Sequence, residues 1–427
     1  MRDSRPHIDA ADRTPGRCWQ AVGKRIHSSL ARSLCALAVA LAASGAAAQD
    51  TEVADPAALQ IHGFVSPGFM LTTRNDYLPH SKEGTFEFTE VGINVTKELT
   101  DQLRAGVQLF ARDLGRSGNY DVKADWFFLD YRFANWIGLR AGRIKVPFGL
   151  YNEVNDIDAA RNPILLPQSL YPIQNRDYLL AQTGVELYGY IELAQAGALE
   201  YRLYSGTTFV EGEVNPRLPY EFETINIPYV AGGRLLWETP LPGLRAGGSL
   251  QWLRLDMDVL FDREVYLPAQ MAGALPADFN GLVETELPVT LWVASVEYAA
   301  HDLLLAFEYS RWHGEFESSQ PLLIPENGST SERLYGMVAY RVAGWLQPGA
   351  YYSLYYPNTR DKNGREAQQH DVSLTLRFDI SPFWLVKVEG HFMSGTAMLS
   401  ADANDGTPPA ELKRNWGLFL AKTTAYF

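Results

Sequence analysis

Two groups of charged side chains in this sequence are placed to act together on ions or dipolar solutes. Four arginines have even residue numbers and so share the inward face of the predicted strands 102–113, 122–133 and 136–146: Arg104, Arg112, Arg132 and Arg140. Three carboxylates follow in residues 147–177: Glu153, Asp156 and Asp158. If the arginines lie on one side of a passage and the carboxylates on the other, the electric field across the passage orients dipolar solutes and discriminates between ions. The alternative is that these arginines are solvated and pair with Asp130, Glu90 or Glu186.

Side chains suited to catalysis or metal binding are present, but not in the patterns that such chemistry needs. None of the six histidines after residue 48 has metal-ligand spacing: His62, His80, His301, His313, His370 and His391. His391 and Ser394 are three apart on a predicted strand, so they point to opposite faces and form no hydrolytic pair. Asp361–Gly364 and Asp402–Gly406 resemble calcium-loop fragments that turn chemistry explains equally well. We therefore predict no catalytic residue, no metal and no cofactor.

Alternation of apolar and polar residues predicts the β-strands that position these groups. In residues 369–379, Val372 and Leu374 alternate with Asp371 and Ser373, which places the two sets on opposite faces of a sheet. Strands of about ten residues cross a membrane when tilted. The predicted strands are residues 60–73, 85–97, 102–113, 122–133, 136–146, 178–193, 198–206, 231–238, 244–258, 288–299, 302–312, 332–342, 345–356, 369–379, 382–395 and 412–427.

The links between these strands alternate between short and long. The short link Ala134–Asn135, for example, is followed by residues 147–177 and then by the short link Ala194–Gly197. Strict alternation is typical of an outer-membrane barrel, with short periplasmic turns and long outer loops. Aromatic residues of the kind that form membrane girdles lie beside the short links: Trp136, Trp345, Phe383 and Trp384. The sequence therefore predicts an all-β fold, a 16-stranded antiparallel transmembrane β-barrel with both termini in the periplasm.

The N-terminal region predicts export. A basic segment with Lys24, Arg25 and Arg32 precedes an apolar run, and small residues end at Ala48, which is the order found in signal peptides. We predict a signal peptide in residues 1–48 and the transmembrane barrel in residues 49–427, in the outer membrane of a Gram-negative bacterium. Cleavage would remove both cysteines and leave 30 basic and 47 acidic residues, a net charge of -17. That charge argues against nucleic acid as a partner, whereas the barrel itself implies outer-membrane lipid.

The C-terminus carries a second indication of a barrel. The last predicted strand ends on Phe427, and a strand that runs to a terminal aromatic residue resembles the C-terminal signature of outer-membrane barrels. This resemblance implies the barrel assembly machinery as a partner and Phe427 as the assembly signal. A buried terminal strand is the alternative.

The third long link, residues 147–177, is unusually apolar for an exposed loop. Water does not favour the display of Ile164, Leu165, Leu166 and Leu170 together. We expect this loop to fold into the barrel and pack on the wall, as the third loop of general porins does, where it narrows the pore. A subunit contact or a lid is the alternative.

The strand before this loop carries a family resemblance. The run Gly142–Gly149 (GRIKVPFG) resembles a motif of the phosphate-selective porin family, with Gly142, Arg143, Lys145, Pro147 and Phe148 as its motif residues. The resemblance implies a sixteen-stranded, trimeric, anion-conducting channel. Arg143 and Lys145 have odd residue numbers, as the outward Leu139 and Ala141 do, so alternation places all four on the outer face. Either a bulge changes the register, or Arg143 and Lys145 lie at the rim of the barrel.

These observations together predict a porin-type channel for passive diffusion of small hydrophilic solutes or ions, with no enzymatic activity. Two other functions remain open at this point. One is an outer-membrane barrel enzyme such as a lipid-modifying hydrolase, which would need a cluster of Ser, His and Asp or Glu. The other is a closed structural or adhesin barrel, whose lumen would be filled with bulky side chains. Sixteen strands enclose more volume than side chains alone fill, which favours the channel.

Overall fold

The computed structural model describes residues 59–115, 118–209 and 220–427. The predicted signal peptide, residues 1–48, lies outside the described residues. Sixteen strands form in the described part: β1 (Gln60–Thr72), β2 (Thr89–Glu98), β3 (Leu103–Asp113), β4 (Lys123–Ala134), β5 (Ile137–Lys145), β6 (Ala181–Glu192), β7 (Ala198–Phe209), β8 (Tyr220–Glu238), β9 (Leu244–Phe261), β10 (Leu282–Ala300), β11 (Leu303–Ser318), β12 (Asn327–Tyr340), β13 (Leu346–Tyr356), β14 (Gln369–Ser381), β15 (Trp384–Gly395) and β16 (Asn415–Tyr426). Two α-helices lie between strands, α1 (Arg176–Leu179) and α2 (Arg263–Met271).

Every strand pairs antiparallel with its sequence neighbours, and β1 pairs with β16 to close the barrel. Short turns collect at one end and long loops at the other, so the predicted antiparallel barrel is confirmed. Among the residues that the structure describes, no helix is long and apolar enough to cross a membrane.

The two faces of the wall differ in polarity, as the alternation predicts. On β14, Val372 and Leu374 point outward and are exposed, whereas Asp371 and Ser373 point inward and are buried. The aromatic residues beside the short turns are all exposed on the outer surface: Trp136, Trp345, Phe383 and Trp384. A lipid-facing apolar surface with aromatic side chains at its edge is what a transmembrane barrel requires.

Strands β8 to β12 are longer than the sequence pattern predicts. We expected β8 to begin at residue 231 and β10 at residue 288, but they begin at Tyr220 and Leu282. Their extra residues include Glu221, Glu284 and Glu286, which are exposed. Because a strand that projects beyond the apolar band needs no apolar outer face, its alternation is lost although its backbone pairing continues.

Phe427 extends the pairing of β1 with β16 that closes the barrel. The backbone N–H of Phe427 donates to the Gly63 carbonyl at 3.0 Å, and the N–H of Gly63 donates to the Phe427 carbonyl at 3.1 Å. The Phe427 ring lies against Gly63, where an added Cβ would be only 2.7 Å from the ring. Phe427 therefore helps to join the first and last strands, whereas its role as an assembly signal stays a prediction.

Gly142 is a motif residue at which the fold leaves no room for a side chain. Its φ is +135°, and a Cβ at this position would lie 2.2 Å from the Phe127 carbonyl oxygen of the neighbouring strand. We expect Gly142→Ala to lower the free energy of unfolding by about 1–3 kcal/mol, because the backbone must shift or stay strained. Urea unfolding in detergent, followed by tryptophan fluorescence, measures the change. Gly390→Ala on β15 is the matched control, because an added Cβ there meets open space; equal losses in the two variants would contradict the prediction.

Candidate functional site

The third long loop, residues 146–180, folds into the barrel and crosses its lumen. At one side Phe148, Leu166 and Leu170 join a buried cluster with inward residues of β7 to β13. At the other side Ile164 and Leu165 join a second buried cluster with residues of β1 and β16 and of the adjoining loops. The expected inward packing of this loop is therefore confirmed, and the apolar side chains that water does not favour are core residues.

Polar contacts fix the loop around most of the circumference. Within the described residues, hydrogen bonds or ion pairs join it to β3, β4 and each strand from β7 to β16. The loop is thus attached to strands on most sides of the lumen and not to one side of the wall alone.

The firmest attachment is at β14 to β16. The Lys387 ammonium is fully buried and donates to Asp158 Oδ1 at 3.0 Å and to the Arg161 carbonyl at 2.8 Å. The Glu389 carboxylate accepts the backbone N–H groups of Ile164 at 2.6 Å and Leu165 at 3.0 Å. Charges and backbone groups of the loop therefore find their partners on the wall rather than in water.

A second attachment centres on the buried Glu308 carboxylate of β11. It accepts hydrogen bonds from the hydroxyls of Tyr171, Tyr335 and Ser295 and from the backbone N–H of Leu150 at 3.0 Å. Four donors on one carboxylate hold two separate parts of the loop against the same strand.

The third attachment lies at β4 and β5. Arg176 of the loop donates to Asp156 Oδ1 at 2.7 Å and to Asp125 Oδ1 at 2.6 Å, and Lys145 lies 3.3 Å from Asp156 Oδ2. Burial alone would raise the pKa of the Asp156 carboxyl, but Arg176 and Lys145 outweigh it and hold that pKa well below its usual range. Asp156 therefore remains charged although it is buried.

A pH dependence follows from Asp156. Because its pKa is lowered in the folded chain, the carboxylate contributes stability above the pKa of an unfolded aspartate, about 3.9, and this contribution is lost as the pH falls further. We expect Asp156→Asn to reduce the free energy of unfolding most at pH ~7 and by a smaller amount at pH ~3, because pH ~3 lies below the unfolded pKa but above the lowered folded pKa. Urea unfolding at both pH values measures the difference, with Asp361→Asn in an exposed loop as control. An equal loss at both pH values would show that charge is not the cause.

Below the loop, on the short-turn side, charged side chains form a row across neighbouring strands. Arg104, Asp130, Arg140 and Glu186 are successive register partners across β3 to β6. Arg104 donates to Asp130 at 2.8 Å, and Arg140 contacts Asp130 at 3.2 Å and Glu186 at 3.1 Å. Side chains of opposite charge directly across a strand pair stabilise each other.

The row continues on β7 to β10 with arginines that the sequence analysis did not single out. Arg202 lies 2.8 Å from Glu186, Arg234 lies 2.6 Å from Glu200, and Arg245 lies 2.8 Å from Glu297. Their parity could have revealed them, because Arg202 shares a face with the buried Tyr204 and Arg234 with the buried Leu236. The row of Arg104, Asp130, Arg140, Glu186, Arg202, Glu200, Arg234, Arg245 and Glu297 is called the charge row below.

The structure brings together some of the predicted constriction residues and separates others. Arg104 and Arg140 lie in the charge row, and Glu153 is the predicted loop acid that reaches it. Arg112 donates to the Ile173 carbonyl at 3.2 Å and supports the loop. The others lie elsewhere: Arg132 is exposed near the short turn after β4, and Asp156 and Asp158 are buried in ion pairs.

The family-motif residues position the start of the loop. Pairing of β5 with β6 continues without a register shift through Lys145, so no bulge interrupts it. Lys145 ends β5 and donates to the Glu153 carbonyl at 2.9 Å, while Arg143 Nε donates to the Asp125 carbonyl at 2.9 Å. After Pro147, the Phe148 ring is buried and packs edge-on against Trp312. The motif therefore directs the chain from the wall into the lumen.

Comparisons with known proteins agree with this architecture. No protein-family profile and no curated protein matches the chain. Among solved structures, the anion-selective porin from Comamonas acidovorans is 13% identical with a TM-score of 0.51, covering 87% of this chain and 99% of that one. OmpF of Salmonella typhi, in complex with daunomycin, is 12% identical with a TM-score of 0.52, covering 88% of this chain and all of that one.

A third solved structure is the trimer form of OmpT, an outer membrane protein of Vibrio cholerae. It is 13% identical with a TM-score of 0.50, covering 87% of this chain and 99% of that one. At these identities the likeness establishes the fold alone. The chain has the fold of the outer-membrane porin-type barrels.

Proposed function

We propose that this chain forms a channel in the outer membrane of a Gram-negative bacterium, through which small hydrophilic solutes or ions diffuse without catalysis. The observation that carries this proposal is the charge row, a lumen-facing set of guanidinium groups beside a loop that crosses the barrel. A structural barrel has no need for a row of ionised side chains facing its lumen, whereas channels select solutes with charged side chains that line the pore.

The charge row favours anions although the chain as a whole is acidic. Three of its four carboxylates are nearly buried: the side chains of Asp130, Glu186 and Glu297 are 4%, 0% and 6% exposed, and Glu200 is the exception at 29%. By contrast, Arg104 and Arg245 are 39% and 34% exposed. The charge that a solute meets is therefore mainly positive. Net charge is a property of the whole surface, and a focused field inside a low-dielectric wall has a separate effect on ions.

Three further features belong to the proposal. Residues 1–48 act as a cleaved signal peptide, and both termini lie in the periplasm, on the side of the short turns. The channel assembles as a homotrimer, for which the trimer form of the similar outer membrane protein gives support. Phe427 acts as the signal for the barrel assembly machinery, and outer-membrane lipid surrounds the exposed apolar wall.

Planar-bilayer recording of the purified, heat-modifiable protein tests the channel. We expect stepwise conductance and, in a gradient of potassium chloride, a reversal potential on the anion-selective side. Complete absence of conductance steps from a folded protein would reject a channel.

The anion preference is tested by removing the exposed guanidinium groups. We expect Arg104→Gln combined with Arg245→Gln to lower the chloride-to-potassium permeability ratio about twofold or more, because the local positive field weakens. Arg311→Gln is the matched control, since Arg311 lies on the outer face of β11 beside Glu332. An unchanged ratio in the double variant would remove the charge row from ion selection.

The geometry argues against the enzymatic alternative. The buried His391 has Asp371 on Nδ1 at 2.9 Å and Glu389 on Nε2 at 3.0 Å, so neither ring nitrogen is available to activate the adjacent Ser373. The group also faces the interior behind the third loop rather than the lipid. A hydrolytic site needs a base within hydrogen-bond reach of the nucleophile, and this His–Ser pair does not supply one.

One observation favours the closed-barrel alternative as a second candidate. The third loop contacts strands around most of the lumen, and its apolar side chains lie in two buried clusters. A barrel of this kind would conduct only if part of the loop moves. Absence of conductance in the wild type together with conductance after release of the loop would favour the closed barrel.

A further inference from the structure

One carboxylate of the third loop lies between two arginines of the charge row. Glu153 Oε1 lies 3.1 Å from Arg202 Nη2, and Glu153 Oε2 lies 2.9 Å from Arg234 Nη1. The two guanidinium groups come from neighbouring strands, where Arg202 and Arg234 are register partners. Two like charges on adjacent strands repel each other unless anions lie beside them. Glu186 and Glu200 of the wall pair with Arg202 and Arg234, and Glu153 of the loop bridges the two arginines.

The arginines have more donors than their partners accept. The Nε–H groups of Arg140, Arg202 and Arg234 are buried and have no hydrogen-bond partner within the described residues. A buried donor without an acceptor is costly, and it is rare in folded proteins. These three donors on neighbouring inward side chains remain unpaired although Glu186, Glu200 and Glu153 already bind the same arginines, which indicates that this part of the wall can hold a further oxyanion.

The Glu153 edge of the loop is also its least buried attachment. The Glu153 side chain is 26% exposed, whereas Asp158 and Lys387 at the opposite edge are fully buried. Burial alone would raise the pKa of the Glu153 carboxyl, but Arg202 and Arg234 outweigh it and lower that pKa, so the group remains an anion. A solute in the lumen can therefore compete with a charged, water-accessible carboxylate at this edge, but not at the Lys387 edge.

We propose that Arg202 and Arg234 form a binding site for the carboxylate group of small organic solutes, and that Glu153 occupies this site as an internal ligand when no solute is present. The inference rests on the proposed channel function and adds a substrate class to it. A solute carboxylate takes over the contacts of Glu153, and the released edge of the loop opens the passage beside β7 and β8.

A carboxylate fits this site better than a simple halide. Each Glu153 oxygen contacts a different guanidinium group. The two arginines therefore bind two acceptor atoms that are as far apart as the two oxygens of one carboxylate. Arginine favours such two-oxygen ligands because its donors are fixed in a plane. Chloride offers a single acceptor atom and cannot make both contacts in this way.

Single-channel recording with acetate as the probe tests the site. In the wild type, we expect added potassium acetate to raise the open probability relative to an equal addition of potassium chloride. In Glu153→Gln, we expect the channel to be open without acetate, and acetate to reduce the chloride current by binding the vacated arginines. Glu153→Asp keeps the charge on a shorter side chain and should give an intermediate result.

Two further variants locate the binding. In the Glu153→Gln background, replacing either Arg202 or Arg234 by Gln should weaken the acetate block about tenfold, because one charge-assisted contact is lost. Glu332→Gln is the control and should behave as the wild type, because Glu332 contacts Tyr309, Arg311 and Lys362 on the outer side of the wall.

The outcomes separate this inference from the proposed function. Conductance steps that respond identically to acetate and chloride in both the wild type and Glu153→Gln overturn the carboxylate site and leave the channel intact. An acetate effect that survives replacement of both arginines also overturns it. No conductance steps in the wild type or in any folded variant would reject the channel, and the site with it.

Discussion

Replacing Lys387 by methionine is expected to lower the free energy of unfolding by about 3–5 kcal/mol, because removal of one partner leaves the other charge buried and unpaired. In the wild type, the Lys387 ammonium holds Asp158 and three loop carbonyls at the fully buried edge of the third loop. Methionine fills a similar volume but offers no donor. The loop should then leave this part of the wall.

Urea unfolding in detergent measures the loss, and two further variants test its origin. Lys387→Met combined with Asp158→Asn should recover part of the stability, because the unpaired charge is gone. Lys362→Met should cost about 0–1 kcal/mol, because its pair with Glu332 is at the surface; the Lys362 side chain is 41% exposed. A loss in Lys387→Met no larger than in Lys362→Met would contradict the anchoring role.

Replacing Glu308 by leucine is expected to have an effect of similar size. The substitution leaves three hydroxyls and the Leu150 N–H without their common acceptor in a buried place. Each buried donor left without a partner costs about 1–3 kcal/mol unless it finds water. We expect a total loss of about 3 kcal/mol or more, and release of the loop from β11.

Limited trypsin digestion gives a direct measure of that release. Arg161 and Arg176 of the loop are buried in the wild type and should be protected, whereas the Glu308→Leu barrel should be cut in this loop before it unfolds globally. Glu317→Leu on the exposed end of the same strand is the control. Wild-type resistance to trypsin in Glu308→Leu would mean that the loop does not depend on this carboxylate.

The two anchors differ in burial from the Glu153 edge of the loop. Lys387 and Glu308 hold the loop through buried groups, where a hydrogen bond is electrostatically stronger than in water. Glu153 is held by ion pairs that are partly exposed, and such pairs are weaker and more easily exchanged. In the channel that we propose, motion at the Glu153 edge with the rest of the loop fixed would break the fewest buried contacts.

The strand plan could be predicted from the sequence because the membrane imposes it. Lipid requires apolar side chains on one face and the lumen tolerates polar ones on the other, so each membrane-crossing strand carries its own period-two pattern. That pattern located residues such as Val372 and Asp371 on the correct faces. It did not locate the first residues of β8 and β10, Tyr220 and Leu282, because no lipid contacts those projecting ends.

Some members of the charge row and some of their partners could be predicted from the sequence. Parity places Arg104 and Arg140 inside, and register supplies Asp130 and Glu186 as their nearest acids, which was the alternative pairing that the sequence left open. Arg202, Arg234 and Arg245 follow the same rule and were overlooked because strands seven to ten alternate less regularly. Which arginines face the loop depends on how the barrel curves.

The sequence by itself determined that this chain makes an antiparallel barrel with an apolar third loop inside it, because strand polarity and link length are local properties. Only the tertiary structure decided what the loop acids do. Asp158 meets Lys387, 229 residues away in the chain, and is neutralised in a buried pair, whereas Glu153 reaches Arg202 and Arg234 and stays in contact with water. Burial and charge partner are set by long-range packing, and no local pattern distinguishes these two carboxylates five residues apart.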